Sequence, residues 1–189
     1  MPEYSPQVEL NIEIDDDQSQ SAILQTLSSG ELELVVQHTL HLAGITQPIT
    51  LSLLITGDET IQAFNKQYRQ QDKPTDVLSF PLLDQPLVAA PPDQLWTPAE
   101  GEETPQPQAL AFVTPAELPT NLGDIVISWP TVLRQATEAG HSPTYELFYL
   151  LSHGVLHLIG YDDYSEAGYQ AMVHLQQAVL ETMGQKAQP

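Results

Sequence analysis

Two histidines stand four residues apart in an apolar, helix-forming run, His153-Gly154-Val155-Leu156-His157-Leu158-Ile159-Gly160-Tyr161-Asp162-Asp163. Positions i and i+4 share one helix face, so two imidazoles there can ligate one metal ion. Gly160 can end the helix in a left-handed turn. Such a turn would swing Asp163 back as a third ligand, with Asp162 beside it as the alternative. Three protein ligands and an open position describe a catalytic zinc site. A histidine pair at helical spacing, taken alone, is more often coincidence than a metal site. Here the pair, the helix-ending glycine and the acid sit in register, and that conjunction favours the metal. His38 and His41 share a face of an earlier amphipathic segment with no third ligand nearby. His141 precedes a helix start, and His174 lies on the last helix. These four read as surface or partly buried, satisfied side chains.

The chain has no cysteine, so thiolate ligands and a disulfide frame are both excluded. Any metal is held by nitrogen and oxygen. The same absence fits a cytoplasmic protein. The segment Met1-Pro2-Glu3-Tyr4-Ser5-Pro6 lacks a basic start followed by an apolar run, so no signal peptide is expected. The longest strongly apolar run, 147–151, is too short to span a bilayer, so no membrane partner is expected. A length of 189 residues suits one well-buried core and a single domain over 1–189. The net charge of −20, with five Lys and Arg, is a poor background for nucleic acid. Yet Lys66, Arg69 and Lys73 fall within eight residues. A solvated helix face is the bland reading of that cluster; a patch for phosphates is the reading favoured here.

The elements that must position these residues follow from periodicity. Val8-Glu9-Leu10-Asn11-Ile12-Glu13-Ile14 alternates strictly and predicts a half-buried strand, with an acidic loop after it at 15–17. Helical spacing runs over about 30–43, and Gly44 supplies the stop. Ile49-Thr50-Leu51-Ser52-Leu53-Leu54-Ile55 suits a second strand. Asp58 is expected to cap a helix with the stripe Ile61, Phe64 and Tyr68. Asp76-Val77-Leu78-Ser79-Phe80 reads as a short strand closed by Pro81. The stretch 82–119 holds eight prolines, six acids and no Lys or Arg, and predicts a mobile, solvated insert. A strand returns at 123–128. Pro130 opens a helix that Gly140 stops. Ser142 and Pro143 open the histidine helix in the favoured order of cap and first-turn proline. Ser165 opens a last helix. No internal repeat is present. The order β-α-β-α-β, loop, β-α-α-α suggests one small mixed sheet with helices packed on it.

Two segments, 65–81 (Asn65-Lys66-Gln67-Tyr68-Arg69 through Thr75-Asp76-Val77-Leu78-Ser79-Phe80-Pro81) and 152–163, resemble the YbeY family of bacterial metal-dependent endoribonucleases, the rRNA maturation factors. Leu122-Gly123-Asp124-Ile125-Val126-Ile127-Ser128 is similar to that family's central strand. The resemblance implies an α/β (α+β) fold with a four-stranded mixed sheet packed against several helices. It places a metal site on a central helix and the turn after it. It implies one zinc-type ion and cleavage of single-stranded rRNA in 16S 3′-end maturation and ribosome quality control. The implied partners are the small ribosomal subunit and its assembly factors. Carried over by position, His153 and His157 match the first two metal ligands, and Arg69 matches an arginine facing the site. The family's third ligand is usually a histidine directly after Tyr-Asp; this chain has Asp163 there. The insert at 82–119 also departs from the common pattern.

A metal held by two imidazoles and a carboxylate can polarise a phosphoryl group and lower the pKa of bound water from 15.7 towards ~7. The carboxylate cancels one unit of metal charge and weakens that acidification. Arg69 is suited to charge building on the phosphate. The general base is open, with Asp162 a candidate by adjacency, and the attacking group is water or the ribose 2′-hydroxyl. Two other readings compete. A metal-dependent protease would share the helix and turn, but Gly154 stands where its glutamate base belongs. A non-catalytic, metal-stabilised ribosome assembly factor would need only the fold. The ligand types admit nickel, cobalt or manganese beside zinc.

Overall fold

Strict alternation gives the sheet its inner face. In a computed structural model that describes residues 5–27, 30–98 and 118–185, strand β1 (Gln7–Glu13) turns Val8, Leu10 and Ile12 inward and its polar residues outward. A short helix α1 (Asp17–Thr26) and a longer α2 (Glu31–Leu42) lead to β2 (Ile49–Thr56), which buries Ile49, Leu51, Leu53 and Ile55. Helix α3 (Asp58–Arg69) precedes β3 (Val77–Pro81). A single 3-10 turn (Pro92–Gln94) interrupts the following segment. Strand β4 (Thr120–Ser128) then leads through α4 (Trp129–Ala139) into α5 (Pro143–Ile159) and α6 (Glu166–Thr182). The sheet order is β1-β2-β4-β3, with β3 antiparallel to β4 and the other pairs parallel. The four-stranded mixed sheet matches the expectation.

Helices α2 and α5 cover one face of the sheet, with α5 at its centre and α6 packed on both helices. Leu147, Phe148, Leu151, Val155, Leu156, Leu158 and Ile159 on α5 are all fully buried. Each such side chain contributes about 1.5–3 kcal/mol relative to exposure, so α5 is held rigidly. Its start is the expected one: the Ser142 hydroxyl accepts from the Tyr145 amide, and Pro143 occupies the first turn. Gly154 faces β4 so closely that a Cβ there would lie 2.9 Å from two carbons of Ile125. Glycine is what lets the histidine helix settle on the sheet. On the other face α3 packs, setting Ile61 and Phe64 on Leu54, Leu78, Phe80 and Val126.

Three local expectations are corrected. The acidic loop at 15–17 is the start of α1, where the Asp16 carboxylate accepts from the amides of Gln18 and Ser19 at 3.1 and 3.0 Å. Asp58 is not the cap of α3; Gly57 is, with no side-chain bond. Instead Asp58 accepts from Ser128, from Thr131 at 2.9 Å and from Arg134 at 2.8 Å, tying α3 to α4. Burial raises its pKa, but these bonds outweigh it and hold the carboxyl below its ordinary value. The third correction concerns 82–98, which is no loose excursion. The amides of Leu87 and Val88 donate to the Ile159 carbonyl at 2.8 and 3.2 Å, and Trp96 donates to that of Gly160 at 2.9 Å. Leu95 bridges Tyr161, and Val88 is buried. This strap crosses the C-terminal end of α5. The rest of the expected mobile insert, 99–117, lies outside the described residues.

Candidate metal centre

Helical spacing stacks His153 above His157 on the face of α5 that meets solvent between β3 and the strap. Gly160, at φ 130°, ends the helix. A Cβ there would lie 2.5 Å from Pro86 of the strap, so the sharp turn and the strap require the same glycine. The chain doubles back and brings Asp163 to the histidines. The two imidazole Nε2 atoms lie 3.0 Å apart, and Asp163 Oδ2 is 3.8 Å from each. All three ligand atoms fall within 4.8 Å of one another.

The donor set fits a metal on its own chemistry. His157 Nδ1 lies 2.9 Å from the Tyr161 carbonyl, which only accepts, so the proton sits on Nδ1 and Nε2 presents a lone pair. Burial first, then the neighbouring His153, hold the His157 pKa below its ordinary value, favouring the neutral form that binds metal. A second imidazole nitrogen and a carboxylate oxygen crowd the same point, and one shared cation satisfies all three. A triangle with these sides has a centre about 2.1 Å from each corner, the length of a zinc bond to imidazole or carboxylate. The Tyr161 carbonyl fixes the ring of His157, the kind of support that metal-bound histidines require. Asp162 is engaged elsewhere. One of its oxygens accepts from the Tyr164 amide at 3.2 Å, and its own amide donates to Gln94 of the strap at 2.9 Å.

The three side chains open onto a cleft of about 480 Å³. Its far wall comes from Asn65 and Arg69 of α3 and from β3; Trp96, Asp162 and Tyr164 complete it. Arg69 donates from one guanidinium nitrogen to the Ser79 carbonyl at 3.1 Å, which anchors it on the edge strand. Of the three clustered cations, Arg69 alone lines the cleft. Lys66 pairs with Asp72 at 2.8 Å in solvent, and Lys73 is exposed away from the lining. The expected three-cation patch is therefore one arginine. Among the remaining histidines, His141 lies 3.1 Å from the buried Glu146, and His174 is exposed. Trp96 and Tyr164 were not among the expected site residues. The signal for Trp96 was present: a tryptophan in a proline-rich acidic stretch has no periodic apolar neighbours to pack with, so it must dock elsewhere.

A family model described as endoribonuclease YbeY matches residues 13–184. Curated relatives with that description include one from Roseiflexus sp. strain RS-1, 37% identical over 84% of this chain and 85% of its own length. Another, from Shouchella clausii, is 37% identical over 85% of this chain and 90% of its own. A third, from Dehalococcoides mccartyi strain BAV1, is 38% identical over 77% and 81%. A solution structure of a Thermotoga maritima protein superposes over 94% of this chain with a TM-score of 0.49 and 21% identity. The family-model match over 13–184 covers every element that builds the cleft and its histidines. The chain belongs to the YbeY endoribonuclease family.

Proposed function

We propose that this chain is a metal-dependent endoribonuclease that cleaves single-stranded RNA, with zinc held by His153, His157 and Asp163. We assign it to 3′-end maturation of 16S rRNA and to ribosome quality control in the cytoplasm, with the small ribosomal subunit and its assembly factors as partners. One observation carries the reading: a triangle of two imidazoles and a carboxylate faces an arginine across one open cleft. A zinc ion held by His153, His157 and Asp163 would supply Lewis-acid activation of a phosphoryl oxygen and of water. The protein's own groups do the rest. Arg69, anchored on the Ser79 carbonyl, offers its remaining N–H groups to the phosphate, whose charge grows in the transition state. Asp162 is the carboxylate of the lining that stands outside the ligand triangle, and it is our assignment for the proton acceptor.

The protease reading meets a steric obstacle. Position 154 faces Ile125 of β4, so a glutamate there would be driven into the sheet instead of towards the cleft. The test is elemental analysis of the purified protein beside an RNA cleavage assay. We expect one zinc per chain, loss of that metal in His153→Ala and His157→Ala, and cleavage of single-stranded RNA that a chelator abolishes. Equal metal in wild type and both variants would sink the site. Casein cleavage without RNA cleavage would overturn the nuclease.

A further inference from the structure

RNA binding by a chain of net charge −20 raises a physical problem. Affinity for nucleic acid normally comes from cations that neutralise phosphates and release counterions. Of the residues lining the cleft, only Arg69 is cationic, and Asp162 and Asp163 face it. Phosphate contact in the cleft is thus confined to Arg69 and to a metal held at the triangle, both at the reacting phosphate itself.

The lining offers another source of affinity. Tyr164 directly follows Asp163 and is 90% exposed at the mouth of the cleft. An aromatic ring left that bare, beside the candidate ligands, gains nothing for folding. Trp96 stands in the wall next to His157. Its indole N–H donates to the His157 carbonyl at 3.0 Å, so the ring is fixed in place while still partly open to the cleft. The strap that carries it is bonded to the end of α5 at Ile159 and Gly160. One pre-positioned ring and one bare ring thus line the same cleft as the candidate ligands. Single-stranded nucleic acid is held on such platforms because every unpaired base has a π-face.

We infer that Trp96 and Tyr164 form a base-stacking site that holds unpaired nucleobases on either side of the scissile phosphate, and that stacking supplies most of the affinity for RNA. The inference rests on the reading of the cleft as an RNA site. It also explains selectivity for single strands, because paired bases do not expose their faces. Base identity is read weakly, since stacking tolerates any base.

The test is a binding titration of the purified, metal-loaded protein with a short single-stranded RNA that carries a fluorescent end label, followed by the anisotropy of the label, so that every variant is read by the same signal. Cleavage is read in the same samples. Tyr164→Ala and Trp96→Ala are each expected to weaken binding about tenfold or more. Trp96→Phe loses the bond to His157 but keeps a ring, and is expected to retain most of the affinity. A strand of equal length with abasic sites is expected to bind poorly. One phosphate neutralised on a single strand costs only about threefold in affinity between about 50 and 200 mM salt, whereas a phosphate-driven site would lose orders of magnitude. Equal binding by wild type and both alanine variants, equal binding of the abasic strand, or a steep salt dependence would overturn the inference. Wild type that cleaves RNA with no dependence on either ring sinks the stacking site and leaves the nuclease standing. Ring-dependent binding without cleavage does the reverse.

Discussion

The resemblance set a histidine where this chain has Asp163, and for the ligand set proposed above the consequence is electrostatic. A carboxylate in the ligand triangle lowers the net charge of a metal site by one relative to three imidazoles. Asp163→Ala is expected to lose most metal affinity, and Asp163→His to keep it. Bound water in the histidine variant should titrate at lower pH, moving the acid limb of the pH–rate profile down. Asp162→Ala is expected to keep the metal, since its oxygen is engaged with the Tyr164 amide. Metal titrations of the three variants check this, and loss in Asp162→Ala with retention in Asp163→Ala would reverse the assignment. Arg69 makes a separate prediction. Its guanidinium is exposed and anchored by one bond, so Arg69→Ala should leave metal content and stability nearly unchanged while slowing cleavage about tenfold or more. Arg69→Lys should recover only part, because it loses the planar fork that can bond Ser79 and a phosphate together. Unchanged rates in both variants would remove Arg69 from the mechanism.

At the scale of elements, the strands and the ends of α5 were legible because their signals are local. Alternation along β1 and β2 is decided by which face is buried, and Ser142, Pro143 and Gly160 act within a turn of where they sit. Helix α1 escaped because only Ile23 of its ten residues is buried, so no apolar stripe announces it. The strap escaped for a different reason. Its bonds run to backbone groups of Ile159, Gly160 and Asp162, some 70 residues away in sequence, and backbone partners leave no trace in side-chain pattern. Composition described 82–98 as solvated, while its amides close the end of the histidine helix. Deletion therefore divides the insert. Replacing 99–117 by a short flexible link should preserve the thermal midpoint and metal binding, as expected for a stretch rich in proline and acid. Extending the deletion back to 86 removes several backbone bonds, each worth about 0.5–1.5 kcal/mol, together with buried Val88. A fall in midpoint on the order of 10 °C should follow, with weaker metal binding. Scanning calorimetry and metal titration of the two deletions decide the matter; equal behaviour would mean the strap is not structural.

For the whole molecule, the charge imbalance has a consequence independent of the site. Acids outnumber Lys and Arg by twenty-five to five, and among the described residues the Lys66–Asp72 and Arg134–Asp58 pairs lie near solvent. Surface pairs of that kind contribute about 0–1 kcal/mol each. Like-charge repulsion across the surface opposes the compact state and outweighs them. Salt screens both, but it removes more repulsion than attraction here. The thermal midpoint should therefore rise as ionic strength goes from about 0.01 M to about 1 M, over which the screening length falls from about 30 Å to about 3 Å. Cation binding at the histidine triangle would also raise the midpoint, so the experiment needs a bulky monovalent cation such as tetramethylammonium, which cannot enter such a site. It should be repeated on His153→Ala. Screening predicts the same rise for both proteins. A rise confined to wild type would assign the effect to the metal centre, and a flat or falling midpoint would show that the few ion pairs outweigh the repulsion.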